Sequence, residues 1–101
     1  MGDRSMMILV TYDVSFKTET GPKRLRKIAR LCQVFGQRVQ YSVFEIEVDM
    51  AQWTQLKNDL INVMDPEEDS LRFYYLGNNW ERKVEHVGAK KVLDLNGLLL
   101  M

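Results

Sequence analysis

Met7-Ile8-Leu9-Val10-Thr11-Tyr12-Asp13-Val14 is a run of β-branched and apolar residues closed by one acid, and a helix crowded with Lys and Arg follows it. Such a run reads as a strand buried on both faces, and a carboxylate at its end sits where a central strand leaves the sheet. A buried or half-buried carboxylate is costly unless it is paired, protonated or metal-bound. Asp13 therefore asks for a partner. Two readings stand at this point: a functional carboxylate, or a structural one that caps the turn or pairs with a neighbouring Arg.

Outward from that strand, Ser15 to Gly21 is a polar loop and Pro22 suits the first turn of a helix running to about Phe35, stopped by Gly36. Leu25, Ile28, Ala29, Cys32 and Phe35 repeat at three and four, which marks the buried stripe. Lys23, Arg26, Lys27 and Arg30 fall together on the opposite face. Arg24 lands on the edge of the apolar face, in the first turn, within reach of the Asp13 neighbourhood. Arg38-Val39-Gln40 and Val43 to Val48 read as strands joined by a tight link or bulge at Tyr41-Ser42. Asp49 with Gln52 is a capping-box start, and Trp53, Leu56, Leu60, Val63 and Met64 give a second amphipathic helix that Asp65-Pro66 ends. Ser70 to Leu76 alternates as a strand, Gly77-Asn78-Asn79 turns, and Trp80 to Val87 holds a further short strand.

The order β-α-β-β-α-β is the split βαβ, or ferredoxin-like, pattern: an α+β fold with an antiparallel sheet whose first and third strands are central and whose helices share one face. Residues 1–5 read as a leader or cloning remnant, 6–88 as the ferredoxin-like domain, and 89–101 as a C-terminal extension or tail. The sheet face without helices and the Leu-rich tail need cover, which a two-fold homodimer supplies most simply.

A chain of 101 residues is one domain. Cys32 is the only cysteine, so there is no intrachain disulfide and no sulfur set for zinc, and the redox address is cytoplasmic. No apolar stretch approaches transmembrane length, which argues against a membrane partner. Formal net charge is zero, yet between Lys17 and Gln40 the basic Lys17, Lys23, Arg24, Arg26, Lys27, Arg30 and Arg38 face Glu19 alone. One basic face is enough to bind a polyanion, because affinity follows the local field and the phosphates contacted. His86, the only histidine, reads as a surface or interface hydrogen bonder rather than a general base. Ser15 and Ser42 lack a histidine in triad arrangement and read as turn hydrogen bonders. Tyr12 alternates to the face opposite Asp13 and reads as packing, Trp53 as core and Trp80 as interface.

The strand ending Tyr12-Asp13-Val14, the Lys23-Arg24-Leu25-Arg26-Lys27 helix start, the run Gly36-Gln37-Arg38-Val39-Gln40-Tyr41-Ser42-Val43-Phe44-Glu45 and the acidic bend before Ser70-Leu71-Arg72, in that order, resemble the small CRISPR-associated endonuclease family, the second core protein of the adaptation module. The resemblance runs from about Met7 to Lys91, and Leu76-Gly77-Asn78-Asn79 with Val84-Glu85-His86-Val87-Gly88-Ala89-Lys90 resembles the type I-C subgroup. It implies a symmetric homodimer in which the late strand of each chain adds to the other's sheet. It further implies a magnesium- or manganese-dependent endonuclease, with duplex DNA the expected substrate and single-stranded RNA the alternative. The partner it implies is the CRISPR integrase subunit, bridged by the dimer in the spacer-integration complex. Carried over by the resemblance are Asp13 as metal ligand and catalytic residue, Arg24 or Arg26 and Arg38 in family arginine roles, and Phe44 in the same segment.

Lys27 and Arg30 join those arginines as candidate nucleic-acid contacts, and Tyr12 and Ser15 as supporting residues beside Asp13. Magnesium prefers octahedral oxygen coordination, so one carboxylate per chain is a thin site unless two-fold symmetry or substrate phosphate completes it. A single ion shared by two Asp13 side chains is the expectation, with low turnover. The competing readings are a non-catalytic dimeric scaffold that holds DNA and bridges integrase subunits, and a ferredoxin-like regulatory module for a small ligand.

Overall fold

A computed structural model of the chain describes residues 5–15, 17, 19–76 and 83–89. The expected turn at 77–79, Trp80 and the Leu-rich tail lie outside the described residues. Five strands and two helices follow in the order β1 (Met6–Asp13), α1 (Gly21–Gln33), β2 (Gly36–Gln40), β3 (Val43–Val48), α2 (Met50–Val63), β4 (Ser70–Leu76) and β5 (Lys83–Gly88). They form one antiparallel sheet in the order β2-β3-β1-β4-β5, the ferredoxin-like arrangement extended by a fifth strand. β1 is the central strand, and within this single chain β5 pairs with its own β4.

Both helices pack on one face. Ile8, Val10 and Tyr12 of β1, Phe44, Ile46 and Val48 of β3 and Leu71 and Phe73 of β4 meet Leu25, Ile28, Ala29 and Cys32 of α1 and Trp53, Leu56 and Leu60 of α2. Burial raises the Cys32 thiol to about 12, which leaves it an unreactive packing group. The core corrects one expectation: β1 is buried on one face only, its odd-numbered residues Met7, Leu9, Thr11 and Asp13 lining the face that the helices leave bare. An apolar run cannot distinguish the two cases, because side chains on an uncovered face are apolar too when another surface is meant to cover them.

Local chemistry places the ends of the elements. Pro22 occupies the first turn of α1, while α2 starts at the capping box, Asp49 accepting from the Gln52 amide at 2.7 Å and Gln52 Oε1 from the Asp49 amide at 2.9 Å. α1 stops at Gln33, short of the expected Phe35, and Gly36 opens β2 instead of merely ending the helix. A Cβ at Gly36 would lie 1.9 Å from the Glu45 carbonyl oxygen, so β2 reaches β3 only because no side chain is there. Tyr41 and Ser42 form the expected tight link between β2 and β3, while the register shift of the pair lies one step earlier, between Arg38 and Gln40.

Candidate active site at the end of the central strand

β1 ends in Asp13, and the carboxylate is exposed, not buried as the apolar run before it suggests. Alternation puts it on the bare face, opposite Ser70 of β4, while Thr11 one step back stands between Val43 of β3 and Arg72 of β4. Thr11, Tyr12, Asp13, Ser42, Ser70 and Arg72 line a cleft of about 200 Å³. Ser70 is 3% exposed, and its Oγ has no hydrogen-bond partner among the described residues. The cleft thus combines a carboxylate, a guanidinium and hydroxyls, the donors and acceptors that a phosphodiester and a hard cation need.

No group of three or more His, Cys, Asp or Glu able to hold a metal occurs among the described residues. The oxygen donors around Asp13 suit magnesium, but the described residues lining the cleft include a single carboxylate, so they fit part of a coordination shell. Glu19, the other acid near Asp13 in sequence, is exposed in the turn before α1.

Beneath the exposed acid lies a second one. Asp69 is fully buried, and its carboxylate accepts from the Tyr12 hydroxyl, the Ser15 amide at 3.0 Å, Arg24 Nε at 2.7 Å, Arg24 Nη2 at 3.1 Å and the Asp65 amide at 3.0 Å. Burial pushes its carboxyl pKa up, but the hydrogen bonds from Arg24, Tyr12 and the two amides outweigh it and hold the group below the usual carboxylate range. Tyr12 is raised above the ordinary phenol range, first by burial and then by its bond to Asp69. Arg24 therefore does reach the end of β1 from the edge of the apolar face, but its partner there is Asp69, not Asp13. At 12% side-chain exposure Arg24 is committed to that pair.

The remaining basic residues are elsewhere. Arg26, Lys27 and Arg30 are exposed on the outer surface of α1, with the helix between them and the sheet, so the structure does not bring them together with Asp13. Arg38 sits on the helix side of the sheet edge, its guanidinium carbon 5.3 Å from the Tyr41 ring centre and 5.4 Å from that of Phe44. Its Nε donates to the Tyr41 carbonyl at 2.8 Å. Phe44 is core. Ser15 works mainly through its backbone amide, while its Oγ accepts from the Lys17 amide at 3.2 Å. His86 lies opposite Arg72, on the bare face, with both ring nitrogens buried and unpartnered among the described residues. Sequence reasoning missed Asp69, Ser70 and Arg72. The only signal was the acidic bend itself, in which nothing separates Asp69 from Glu67 or Glu68 until the strand after it is placed.

Residues 6–84 match the family model for CRISPR associated protein Cas2. The chain belongs to the Cas2 family. It is 58% identical over 100 residues to the CRISPR-associated endoribonuclease Cas2 of Nitratidesulfovibrio vulgaris, covering 99% of this chain and 98% of the relative. It is 55% identical over 95 residues to the CRISPR-associated endonuclease Cas2 of Halalkalibacterium halodurans, covering 94% and 99%. Among solved structures, Streptococcus pyogenes Cas2 at pH 6.5 superposes with a TM-score of 0.69 at 53% identity, over 75% of this chain and 92% of that one. The Cas2 relatives thus bear nuclease names, and the sheet that presents Asp13 is the fold of a solved Cas2.

Proposed function

We propose that this Cas2 chain works as a symmetric homodimer that hydrolyses phosphodiester bonds in duplex DNA, with Asp13 as the metal-binding carboxylate. The same dimer is proposed as a subunit of the spacer-integration complex beside the CRISPR integrase, in a system of the type I-C subgroup. The observation that carries the nuclease reading is the position of Asp13: exposed at the end of the central strand, on the face without helices, next to Arg72 and a buried hydroxyl. An exposed carboxylate there is within reach of both a phosphodiester and a second copy of itself.

Asp13 would hold one magnesium or manganese ion, with its symmetry mate or the substrate phosphate supplying further oxygens. When bound, such an ion neutralises phosphodiester charge and acidifies a water. Arg72 offers a guanidinium to a non-bridging phosphate oxygen, and the buried hydroxyl of Ser70 orients groups in the cleft. The bare sheet face is the surface for the two-fold partner, since Met7 and Val84 are 37% and 41% exposed there in line with Leu9, Tyr74 and Leu76.

A second reading, the non-catalytic scaffold, is favoured by the placement of Arg26, Lys27 and Arg30 on the far side of the helix layer from Asp13. DNA held by those cations lies away from the cleft. Both readings are tested by replacing Asp13 with Ala and assaying purified protein in parallel for magnesium-dependent cleavage and for spacer integration. Loss of cleavage with integration intact supports a nuclease whose scaffold role is separate. Cleavage at the parent rate removes Asp13 from the chemistry.

A further inference from the structure

Asp69 accepts five hydrogen bonds among the described residues, and two of the donors, Tyr12 and Ser15, lie on either side of Asp13 in the chain. Tyr12 precedes Asp13 and donates its hydroxyl, while Ser15, two residues after Asp13, donates its amide at 3.0 Å. The residue following Asp69 is Ser70, the β4 residue directly opposite Asp13 in the register. Arg24 ties α1 to the same carboxylate, and the Asp65 amide ties the loop that carries it. The Asp69 carbonyl also accepts from the Ala89 amide at 2.9 Å, which fixes the end of β5. Gly88, at φ +129°, permits that approach, because a Cβ there would lie 2.2 Å from the same carbonyl.

The backbone at Asp13 is consequently gripped before, after and across the ladder, although its own side chain is exposed. A strand end at a sheet margin otherwise frays, whereas a metal-binding carboxylate has to be held to within about 0.5 Å. We propose that buried Asp69, through Tyr12 and the Ser15 amide, is the positioning residue that sets Asp13 for divalent-cation binding and phosphodiester cleavage. The proposal rests on the reading of Asp13 as the reactive carboxylate. It also gives Arg24 a role: its guanidinium compensates the buried Asp69 charge, which keeps an acceptor-only carboxylate available to all the donors that converge on it. An amide at position 69 has one acceptor oxygen and turns an NH2 group toward donors.

The test uses the full chain as Tyr12→Phe, which deletes one donor and keeps the packing, as Asp69→Asn, and as Asp49→Ala, a helix-cap change at a residue that does not line the cleft. Cleavage kinetics on duplex DNA are measured against magnesium concentration, and magnesium binding is followed without substrate by the carboxyl carbon resonance of Asp13. Tyr12→Phe and Asp69→Asn are expected to lower kcat by about 10-fold or more with KM for DNA within twofold, and to weaken magnesium binding by a similar factor, the range seen when outer partners of metal ligands are removed. Asp49→Ala should lower the melting temperature and leave both quantities unchanged.

If Tyr12→Phe and Asp69→Asn lower the melting temperature but keep kcat and magnesium affinity within twofold, the network is structural only and the proposal is overturned. Tyr12→Phe decides the matter alone should Asp69→Asn fail to fold. Asp13→Asn is run alongside: if it cleaves like the parent, the reading of Asp13 has failed and the proposal falls with it. If it is inactive while the other two are unaffected, positioning alone has failed.

Discussion

Asp13 and Asp69 meet at one strand end in opposite environments, and replacing each with Ala should differ sharply in its effect on stability. Asp13 is exposed, so Asp13→Ala is expected to change stability by no more than about 0.5 kcal/mol while removing metal-dependent cleavage, checked by urea unfolding beside a nuclease assay. Asp69→Ala removes the buried acceptor of the Tyr12 hydroxyl and of the half-buried Arg24 guanidinium and is expected to cost about 3 kcal/mol in the same unfolding experiment. The pH dependence follows from the depressed Asp69 pKa. A carboxyl lower in the folded than in the unfolded chain contributes stability that is complete above the unfolded value of about 3.9 and is lost as pH falls through the folded value. Acid unfolding of the parent should therefore be steep below about pH 4, and Asp69→Asn should flatten it. Unchanged steepness in that variant would assign the acid transition to other carboxylates. At this scale the sequence was only partly legible. The Tyr12 ring facing the core follows from alternation with Asp13, but which acid of the bend would be buried depends on a contact between residues 45 positions apart, Arg24 and Asp69.

The two helices show how far periodicity reaches. α1 has its apolar stripe and its basic surface where the three-and-four spacing puts them, and α2 begins at the capping box that Asp49 and Gln52 spell out. Asp49→Ala should cost about 1 kcal/mol, a typical loss for an N-cap, read from thermal or denaturant unfolding. The outer face of α1 makes its own prediction. Reversing charge with Arg26→Glu and Arg30→Glu should weaken duplex binding and reduce the slope of log K against log salt by about 2, one unit for each phosphate contact removed. An unchanged slope would place the DNA elsewhere. Periodicity erred where it carries no information: the apolar β1 looked covered on both faces, because a strand cannot register which of its faces the helices will occupy.

For the whole molecule, the decisive feature is the sheet face without helices. Leu9 lies at its centre, between Glu45 of β3 and Tyr74 of β4. If that face is the two-fold surface, Leu9→Lys should give a folded monomer, with scattering mass halved at micromolar concentration and the circular dichroism spectrum of the parent retained. A parent that is itself a monomer under those conditions would remove the shared-metal site. The ion pair Lys57–Glu85, at 2.8 Å, with Tyr75 and Trp53 beside it, ties α2 to β4 and β5 on the other side of the sheet. Lys57 holds Glu85 below the usual carboxylate range, so this tie persists at neutral pH and leaves the bare face as the open one.

The sequence by itself determined the order of elements, the stripes that build the core, the capping box that starts α2, and Asp13 as the acid at the end of the central strand. These are local properties, set by side-chain spacing and backbone chemistry within a few residues. Only the tertiary structure decided that Asp13 is exposed, that Arg24 belongs to Asp69, and that the basic face of α1 and the Asp13 cleft lie on different sides of the molecule. Those facts depend on which face of a strand the helices cover and on which of several acids in a bend is drawn into the core. Both are settled by the packing of segments far apart in the chain.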